Sequence, residues 1–496
     1  MSPNSSARSS RLTRFRILAM LLAATPFLLL ELTVRLFGWG LPRESYDPYL
    51  GFESVQPLFV LDQQQESYQV AESRLDFFRP EQFPARKSTN SYRVFCLGGS
   101  TVQGRPYALE TAFSSWLQLS LQAAAPERQW EVINCGGISY ASYRLVPILQ
   151  EILDYQPDLL ILYTGHNEFL EDRSYSRFKD PAWTMRLLRK IRSNWQTINC
   201  LRQLCYRSPG PARADSARIV MPTEVKGLLD QARLQDYHHD PQWQRDVVEH
   251  YQFNLQRMIR LAKQANIPLI LVNPVSNLKD CPPFKIEPGT KVSGAAQETF
   301  QQLWDEAQQS TTLESRIEKL QATVKLDPNH AGIQYQLGKC YEAAGQFEQA
   351  KASLLMAKDK DVCPLRMLES MHARLLSTAR QTRTPLVNAR QLLEGQSAEG
   401  ITGNKVLLDH VHPTIEAHQW IAEALLEKMI QLEILSPREN WKTVQVERYR
   451  EHLGQLPKAY YERGKQQLEG LRLWTQGRAG ELNLQSPAEV SKDPAP

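Results

Sequence analysis

The chain has 496 residues, of which 42% are hydrophobic and 23% charged, which is typical of a globular protein with two or three domains. Its formal net charge is +4, and residues 1–16 contain four arginines and no acidic residue. Removing these four from the 58 basic residues leaves 54, equal to the number of acidic residues, so the body of the chain is neutral and no nucleic-acid partner is predicted.

Residues 1–40 are predicted to form a membrane anchor. The stretch 17–30 carries no charge, and apolar residues continue to Trp39 around Glu31 and Arg35. The uncharged part is short for a bilayer span and resembles the apolar region of a signal peptide, but no clear cleavage site follows it. Since basic residues favour the cytoplasmic side, we expect an uncleaved single-pass anchor with the rest of the chain outside the cytoplasm, periplasmic or extracellular. A buried amphipathic helix is the alternative.

A central sheet is predicted to begin near residue 90, after a Pro- and Gln-rich linker with one or two flanking strands at 41–88. Its first strand, 94–97, is apolar and ends at two glycines that permit a sharp turn into Ser100. Apolar residues at helical spacing predict a helix over 108–125. Ser100 would then lie just past the C-terminal end of a strand, where ligands bind in open α/β sheets. A turn that only connects strand to helix is the alternative.

Two other motifs fit this turn poorly. Gly99 and Gly104 have the spacing of a phosphate-binding loop, but Arg105 and Pro106 stand where that loop needs lysine and a hydroxyl residue. The nucleophile elbow of α/β-hydrolases requires a second glycine at the position of Val102. We therefore expect neither.

The second and third strands, within 131–135 and 158–163, end in turns of the same kind. The second is followed by two glycines, Ile138 and Ser139, and the third by Gly-His-Asn-Glu, in which the asparagine is Asn167. In a parallel sheet these turns meet at the edge where Ser100 lies. The Asn167 side-chain amide and the Ser139 backbone amide could therefore donate hydrogen bonds to an oxyanion.

Strands continue to alternate with helices further along the chain. An irregular insertion at 170–240 is expected to cover or flank the site, a helix follows at 241–266, and strands are predicted at 267–273 and 385–388. This alternation favours an α/β fold with a parallel sheet covered by helices on both faces.

A helical insertion is predicted at 276–379, between the fourth and fifth strands. Residues 332–350 resemble a tetratricopeptide repeat, with matching residues at Leu337, Gly338, Tyr341, Gly345, Phe347 and Ala350. About three repeats are needed to bury their apolar faces, and the segment holds about one and a half. We therefore expect it to dock on the rest of the chain or on a protein partner.

Asp409 and His412 stand three residues apart, so the carboxylate can reach the imidazole and fix its tautomer. The remaining imidazole nitrogen would then be free to take a proton from Ser100. Two alternatives are a histidine that caps the helix starting near Thr414 and an H-x-H metal site formed with His410, for which further ligands are not evident.

Four blocks together resemble the SGNH (GDSL-type) hydrolase family: G-G-S-T-V at 98–102, V-I-N-C-G-G-I-S-Y at 132–140, G-H-N-E at 165–168 and D-H-V-H-P at 409–413. The resemblance implies a flavodoxin-like three-layer α/β/α fold over 89–275 and 380–435. It also implies Ser100 as nucleophile, Asn167 as oxyanion donor, and Asp409 with His412 as the acid–base pair.

Two departures from the family pattern concern the same site. The second oxyanion donor is expected at Ser139 in place of a glycine, with Gly137 as the alternative. The first block reads G-G-S-T where the family has G-D-S, so the acidic residue before the nucleophile is missing.

The cysteines allow two disulfides in an oxidising compartment: a local one between Cys200 and Cys205, and one between Cys281 and Cys363 that would join the two ends of the helical insertion. Residues 436–496 are expected to form surface helices and a polar tail.

The predicted anchor and the resemblance together indicate a membrane-anchored extracytoplasmic serine esterase, and the resemblance implies that it acts on a carbohydrate O-acetyl or lipid ester. The alternatives are an O-acyltransferase acting on a glycan and a catalytically silent binding protein that uses its repeat. The proposed chemistry needs no cofactor or metal.

Overall fold

The computed structural model describes residues 56–170, 237–288 and 295–475, with shorter stretches within 18–36, at 50–52, at Thr197 and at 219–221. The chain divides into two compact units. The smaller unit comprises Met1–Ser54 and Tyr175–Pro222, and the larger comprises Val55–Ser174 and Thr223–Pro496.

In the smaller unit, a strand at Leu50–Phe52 pairs in parallel with Ile219–Met221. Glu31 accepts hydrogen bonds from the amide and hydroxyl of Thr197 at 2.9 and 2.7 Å. Much of the predicted anchor and most of the 170–240 insertion lie outside the described residues. Within the described part of the chain, no helix is both long enough and apolar enough to cross a membrane.

The larger unit is built on a parallel sheet. Its described strands are β1 Phe59–Leu61, β2 Ser67–Val70, β3 Gln82–Pro84, β4 Ser91–Gly98, β5 Gln129–Gly136, β6 Leu159–Tyr163, β7 Leu269–Val272 and β8 Leu386–Val387. Strands β1 to β3 form an antiparallel sheet, whereas β4 to β8 form a five-stranded parallel sheet in the order β8-β7-β6-β4-β5. Counted within that sheet the order is 2-1-3-4-5, the flavodoxin-like arrangement. The predicted parallel α/β sheet is confirmed.

Helices cover both faces of this sheet. The described helices are α1 Ser100–Gln103, α2 Phe113–Ala124, α3 Ser142–Ile152, α4 Pro241–Gln264, α5 Ala295–Gln309, α6 Leu313–Leu326, α7 Ala331–Ala343, α8 Phe347–Asp359, α9 Glu369–Thr382, α10 Ala389–Gln396, α11 Ile415–Gln431, α12 Trp441–Gln455 and α13 Lys458–Thr475. Side chains alternate between the faces of a strand, so Phe95 and Leu97 of β4 face α3, α4 and α9, while Val94 and Cys96 face α2, α10 and α11. The two apolar layers make a three-layer α/β/α core.

The helical insertion packs against the rest of the chain. Helices α5 to α8 pack on one another in sequence, and residues such as Leu320, Leu337 and Leu354 share a buried cluster with Leu278 and Ile401, which lie outside these helices. Docking on the same chain, one of the two expected outcomes, is therefore observed. The resemblance to a tetratricopeptide repeat remains a prediction.

Three local features differ from expectation. The helix expected over 108–125 begins only at Phe113, after a short α1 and an irregular turn. Helix α9 joins the helical layer on the sheet, so the boundary expected at 380 falls inside it. The predicted disulfide between Cys281 and Cys363 is not formed: Cys363 packs into the main core, and the Cys281 thiol donates a hydrogen bond to the Pro282 carbonyl. Cys200 and Cys205 lie outside the described residues.

Candidate active site

Ser100 begins α1 directly after β4, at the point where the strand order of the sheet reverses. Strands β4 and β6 are neighbours in the sheet, and the connection after β4 runs to β5 on one side while the connection after β6 runs to β7 on the other. Ligands bind at this switch point in open α/β sheets. Gly99 is required here because a Cβ on it would lie 2.5 Å from the Asn167 side-chain nitrogen. The close approach brings Asn167 next to the Ser100 turn.

Asn134 at the end of β5 holds this turn in place. Its side-chain nitrogen donates to the Val102 carbonyl at 2.7 Å and to the Ser114 hydroxyl at 2.8 Å, while its side-chain oxygen accepts from the Gly136 amide at 2.9 Å. These buried hydrogen bonds join α1, α2 and β5, so Ser100 stands on a rigid support.

The spacing of Asp409 and His412 is explained by a local turn. Asp409 Oδ1 accepts hydrogen bonds from the amides of Val411 and His412, both at 2.9 Å. An aspartate that bonds to the backbone two residues on makes an Asx turn, which brings the His412 side chain back beside the carboxylate. Asn277, in the loop after β7, fixes the outside of the turn through bonds to the carbonyls of His410 and Asp409 at 2.9 and 3.1 Å.

The structure brings Ser100, His412 and Asp409 together in one hydrogen-bonded series. His412 Nδ1 lies 2.6 Å from Asp409 Oδ2, and His412 Nε2 lies 2.8 Å from Ser100 Oγ. A proton on Nδ1 satisfies the carboxylate and leaves Nε2 as an acceptor for the serine hydroxyl. All three side chains are buried, with relative exposures of 8% for Ser100, 3% for His412 and 7% for Asp409. This arrangement can activate a serine hydroxyl.

The electrostatics keep Asp409 ionised. Burial alone would raise the pKa of its carboxyl, but the electrostatic interaction with the His412 and His410 rings and the hydrogen bonds from His412 and Val411 outweigh burial and hold that pKa well below its usual range. Burial lowers the pKa of His410 to about 4 against the opposing charge of Asp409. Burial, and then the charges of His410 and His412, holds the pKa of His166 well below its usual value. His410 and His166 are therefore neutral at neutral pH.

The turns after β5 and β6 provide hydrogen-bond donors near Ser100. The Gly137 amide already donates to the Gly98 carbonyl at 3.0 Å, whereas the Ser139 amide has no acceptor among the described residues. This difference favours Ser139 over Gly137 as the donor. The Asn167 side-chain nitrogen donates to the Tyr140 carbonyl at 3.2 Å, which holds it between the two turns. The Ser100 amide is the first of α1 and so has no acceptor within its helix.

Ser139 adopts a backbone conformation that favours glycine, with φ of +64°. Serine can occupy this region at a modest cost, and the donor is a backbone group. A serine at this position can therefore still present its backbone amide as a donor, and the function of that amide remains a prediction.

The sequence analysis did not identify four further side chains near the site as part of it. His410 was considered only as a metal ligand, and its ring packs edge-on against His412 and Phe284 at 5.8 and 5.3 Å. His166 accepts from the Met367 amide at 3.4 Å. The other two are arginines, described below. The sequence indicated only that the two histidines lie within the motif blocks, next to the predicted site residues.

Asp409, His410 and His412 also bring possible metal-ligand atoms within 4.8 Å of one another. Both ring nitrogens of His412 already make hydrogen bonds, to Asp409 and to Ser100, so a cation on either nitrogen would break one of them. The geometry thus sets metal binding at these residues against the orientation of His412 toward Ser100.

No protein-family model matches this sequence, and neither does any curated protein. Among solved structures, the chain is similar to the acetylxylan esterase Axe2 from Geobacillus stearothermophilus, with 12% identity, a TM-score of 0.31, and coverage of 70% of this chain and 96% of Axe2. It is similar to a protein described as lipolytic and of the G-D-S-L family from Desulfitobacterium hafniense DCB-2, with 10% identity, a TM-score of 0.31, and coverage of 68% and 99%. A third structure, the alpha/beta hydrolase LAE5 from the metagenome of Lake Arreo, Spain, gives 12% identity, a TM-score of 0.30, and coverage of 70% and 99%. TM-scores this low carry no argument about function, so function must be argued from the geometry.

Proposed function

We propose that this protein is a serine esterase of the SGNH type. The observation that carries the proposal is the series of short hydrogen bonds from Asp409 through His412 to Ser100, at 2.6 and 2.8 Å. A nucleophile, a base and an orienting carboxylate in this geometry are the parts that acyl transfer through serine requires.

The reaction proceeds in two acyl-transfer steps. Ser100 Oγ attacks the ester carbonyl carbon while His412 Nε2 takes the hydroxyl proton. The amides of Ser100 and Ser139 and the Asn167 side chain stabilise the oxyanion, and His412 then gives its proton to the leaving alcohol. Water, deprotonated by His412, attacks the acyl-enzyme, and the acid is released as Ser100 regains its proton.

Hydrolysis of 4-nitrophenyl acetate tests the proposal. We expect turnover by the wild type and a loss of about 10³-fold or more in kcat for Ser100→Ala, because the covalent route is removed. Ser73→Ala, which alters an exposed serine that donates to the Gln56 side chain, is the matched control and should retain wild-type activity. Equal activity in Ser100→Ala and the wild type would contradict the proposal.

The substrate class is part of the proposal on the strength of the family resemblance, as a carbohydrate O-acetyl ester or a lipid ester. Hydrolysis and transfer differ in the second step, where water or a sugar hydroxyl attacks the acyl-enzyme. Acetate release from an acetyl donor should dominate whether or not a sugar acceptor is present. Transfer to the acceptor in excess of hydrolysis would replace the esterase with a glycan O-acyltransferase.

The proposal also places the esterase on the outer side of a membrane, held by residues 1–40. The four arginines that precede an uncharged stretch support this, as do apolar side chains in the helical segment around 18–36 that are strongly exposed, such as Leu22 at 73% and Leu36 at 77%. Full-length protein should resist carbonate extraction from membranes, and protease added outside spheroplasts should digest its body. A body that is protected from external protease would contradict this placement.

A further inference from the structure

Two arginines lie in segments that pack on the turn carrying Ser100. The Arg105 amide donates to the Ser100 carbonyl at 3.1 Å. Arg79 follows Phe77, whose carbonyl accepts from the Gln103 side chain at 2.8 Å and from the Ile138 amide at 2.9 Å. Gln103 ends α1 and Ile138 directly precedes Ser139, so the backbone near both arginines contacts the proposed site.

The charges of these two arginines are not neutralised by the protein. Among the described residues, the Arg105 side chain makes no hydrogen bond or ion pair, and Arg79 makes only one, from Nη2 to the neutral Gln467 side chain at 3.3 Å. The Nε atom of each is shielded from solvent and lacks a partner in this part of the chain. Both side chains are only partly buried. Two guanidinium groups that have no counter-ion in the described part of the chain and remain reachable from solvent are available to an anionic ligand.

The charge of Arg79 acts on Arg105. Burial, followed by the like charge of Arg79, lowers the pKa of Arg105 to about 10, and the Asp409 carboxylate opposes this shift. Arg105 therefore remains charged at neutral pH. Since Asp409 is already bonded to His412, it does not serve as their counter-ion.

Helix α13 packs against the segments that carry both arginines and against the loop that carries His412. Tyr460 of α13 stacks on Tyr107, two residues after Arg105, with ring centres 5.9 Å apart. Gln467 of α13 holds Arg79, and Arg472 donates to the Leu408 carbonyl directly before Asp409 at 2.8 Å. One helix thus supports the Arg105 turn, the Arg79 side chain and the loop that carries His412.

We propose that Arg79 and Arg105 form an anion subsite beside Ser100, and that the substrate is an ester whose alcohol part carries a carboxylate or a phosphate. This inference rests on the proposed esterase function. The alcohol part is favoured because His412 protonates the leaving alcohol, and because α13 contacts both the turn that follows Arg105 and the residue before Asp409. Guanidinium groups bind both oxyanions through parallel N–H donors, and a neutral acetyl sugar would leave them unpaired.

Matched pairs of charged and neutral esters test the subsite and distinguish a carboxylate from a phosphate as its ligand. One pair is a mono-O-acetylated methyl glucuronoside and the corresponding glucoside; the other is acetylglycerol 3-phosphate and acetylglycerol. We expect wild-type kcat/KM to favour the charged member of at least one pair by about tenfold, and the pair with the larger ratio identifies carboxylate or phosphate as the natural anion.

Three variants connect that ratio to the arginines. Arg79→Gln and Arg105→Gln should each lower the charged-to-neutral ratio about fivefold, and Arg105→Lys should keep part of it because it keeps the charge. Arg128→Gln is the matched control, since that guanidinium lies over the Tyr92 and Trp130 rings, each at 5.3 Å. Its ratio should equal that of the wild type. A wild-type ratio near one in both pairs, or ratios unaffected in both Gln variants, would overturn the subsite.

Binding to Ser100→Ala separates this inference from the esterase proposal. Calorimetry with methyl glucuronoside and glycerol 3-phosphate should show binding of at least one that weakens when Arg79→Gln is added, while methyl glucoside binds less tightly. Arginine-dependent binding by a protein that hydrolyses no ester would keep the subsite and overturn the esterase. Equal hydrolysis of the charged and neutral esters, together with no anion binding, would keep the esterase proposal and overturn the subsite.

Discussion

Replacing Asp409 by asparagine separates the shape of this side chain from its charge. In the structure, Oδ1 accepts from the amides of Val411 and His412, and Oδ2 accepts from His412 Nδ1. An asparagine has one acceptor oxygen, and keeping it on the two backbone amides turns its NH2 group toward Nδ1. The imidazole must then carry its proton on Nε2, which faces Ser100 Oγ at 2.8 Å and can no longer take a proton from it.

The expected cost is large because the wrong tautomer removes the base without removing the ring. We expect kcat for 4-nitrophenyl acetate to fall about 10⁴-fold, equivalent to about 5.5 kcal/mol in the barrier. Initial rates should be measured at neutral pH with circular dichroism as a check on folding. Asp154→Asn, an exposed change just before β6 at the opposite end of the sheet, is the control and should be fully active. An Asp409→Asn enzyme that keeps more than about a tenth of wild-type kcat would refute the reasoning.

Three further changes probe the donors and the buried histidines. Asn167→Ala should lower kcat about 10²- to 10³-fold with little change in KM, and an unchanged kcat would exclude Asn167 as an oxyanion donor. Ser139→Gly should keep kcat/KM within about threefold, because the backbone amide at this position donates the hydrogen bond to the oxyanion. A loss beyond tenfold would show that the serine hydroxyl is the donor instead. Burial lowers the pKa of His418 to about 3. Below pH 6.5 this side chain therefore binds more protons in the unfolded chain than in the folded one, and the free energy of unfolding decreases as the pH falls. Urea unfolding at pH 6.5 and 5 should show wild type losing about 2 kcal/mol that His418→Gln does not lose, and identical losses would contradict this.

The parallel sheet and the motif turns could be predicted because each depends on a local pattern. The apolar run at 94–97 can form only a buried strand or a short buried helix, and the glycines after it decide for a strand that ends at Ser100. The spacing of Asp409 and His412 likewise reports a turn made by the aspartate itself. Such features need no knowledge of distant parts of the chain.

The remaining features depend on contacts between distant segments. Choosing between Ser139 and Gly137 requires knowing that the Gly98 carbonyl accepts the Gly137 amide. The placement of Arg79 and Arg105 depends on α13, some 360 residues further along the chain. From the sequence, α9 is predicted to belong to the helical insertion, whereas its packing places it in the helical layer on the sheet. No local pattern carries this information.

The central claim is that Ser100 is a nucleophile activated by His412, and covalent labelling tests it most directly. Full-length wild-type protein should react with a fluorophosphonate probe, and peptide mapping should place a single label on Ser100. Ser100→Ala should remain unlabelled, and His412→Ala should react far more slowly because the hydroxyl keeps its proton. A folded wild type that takes no label, or a label on another serine, would contradict the account.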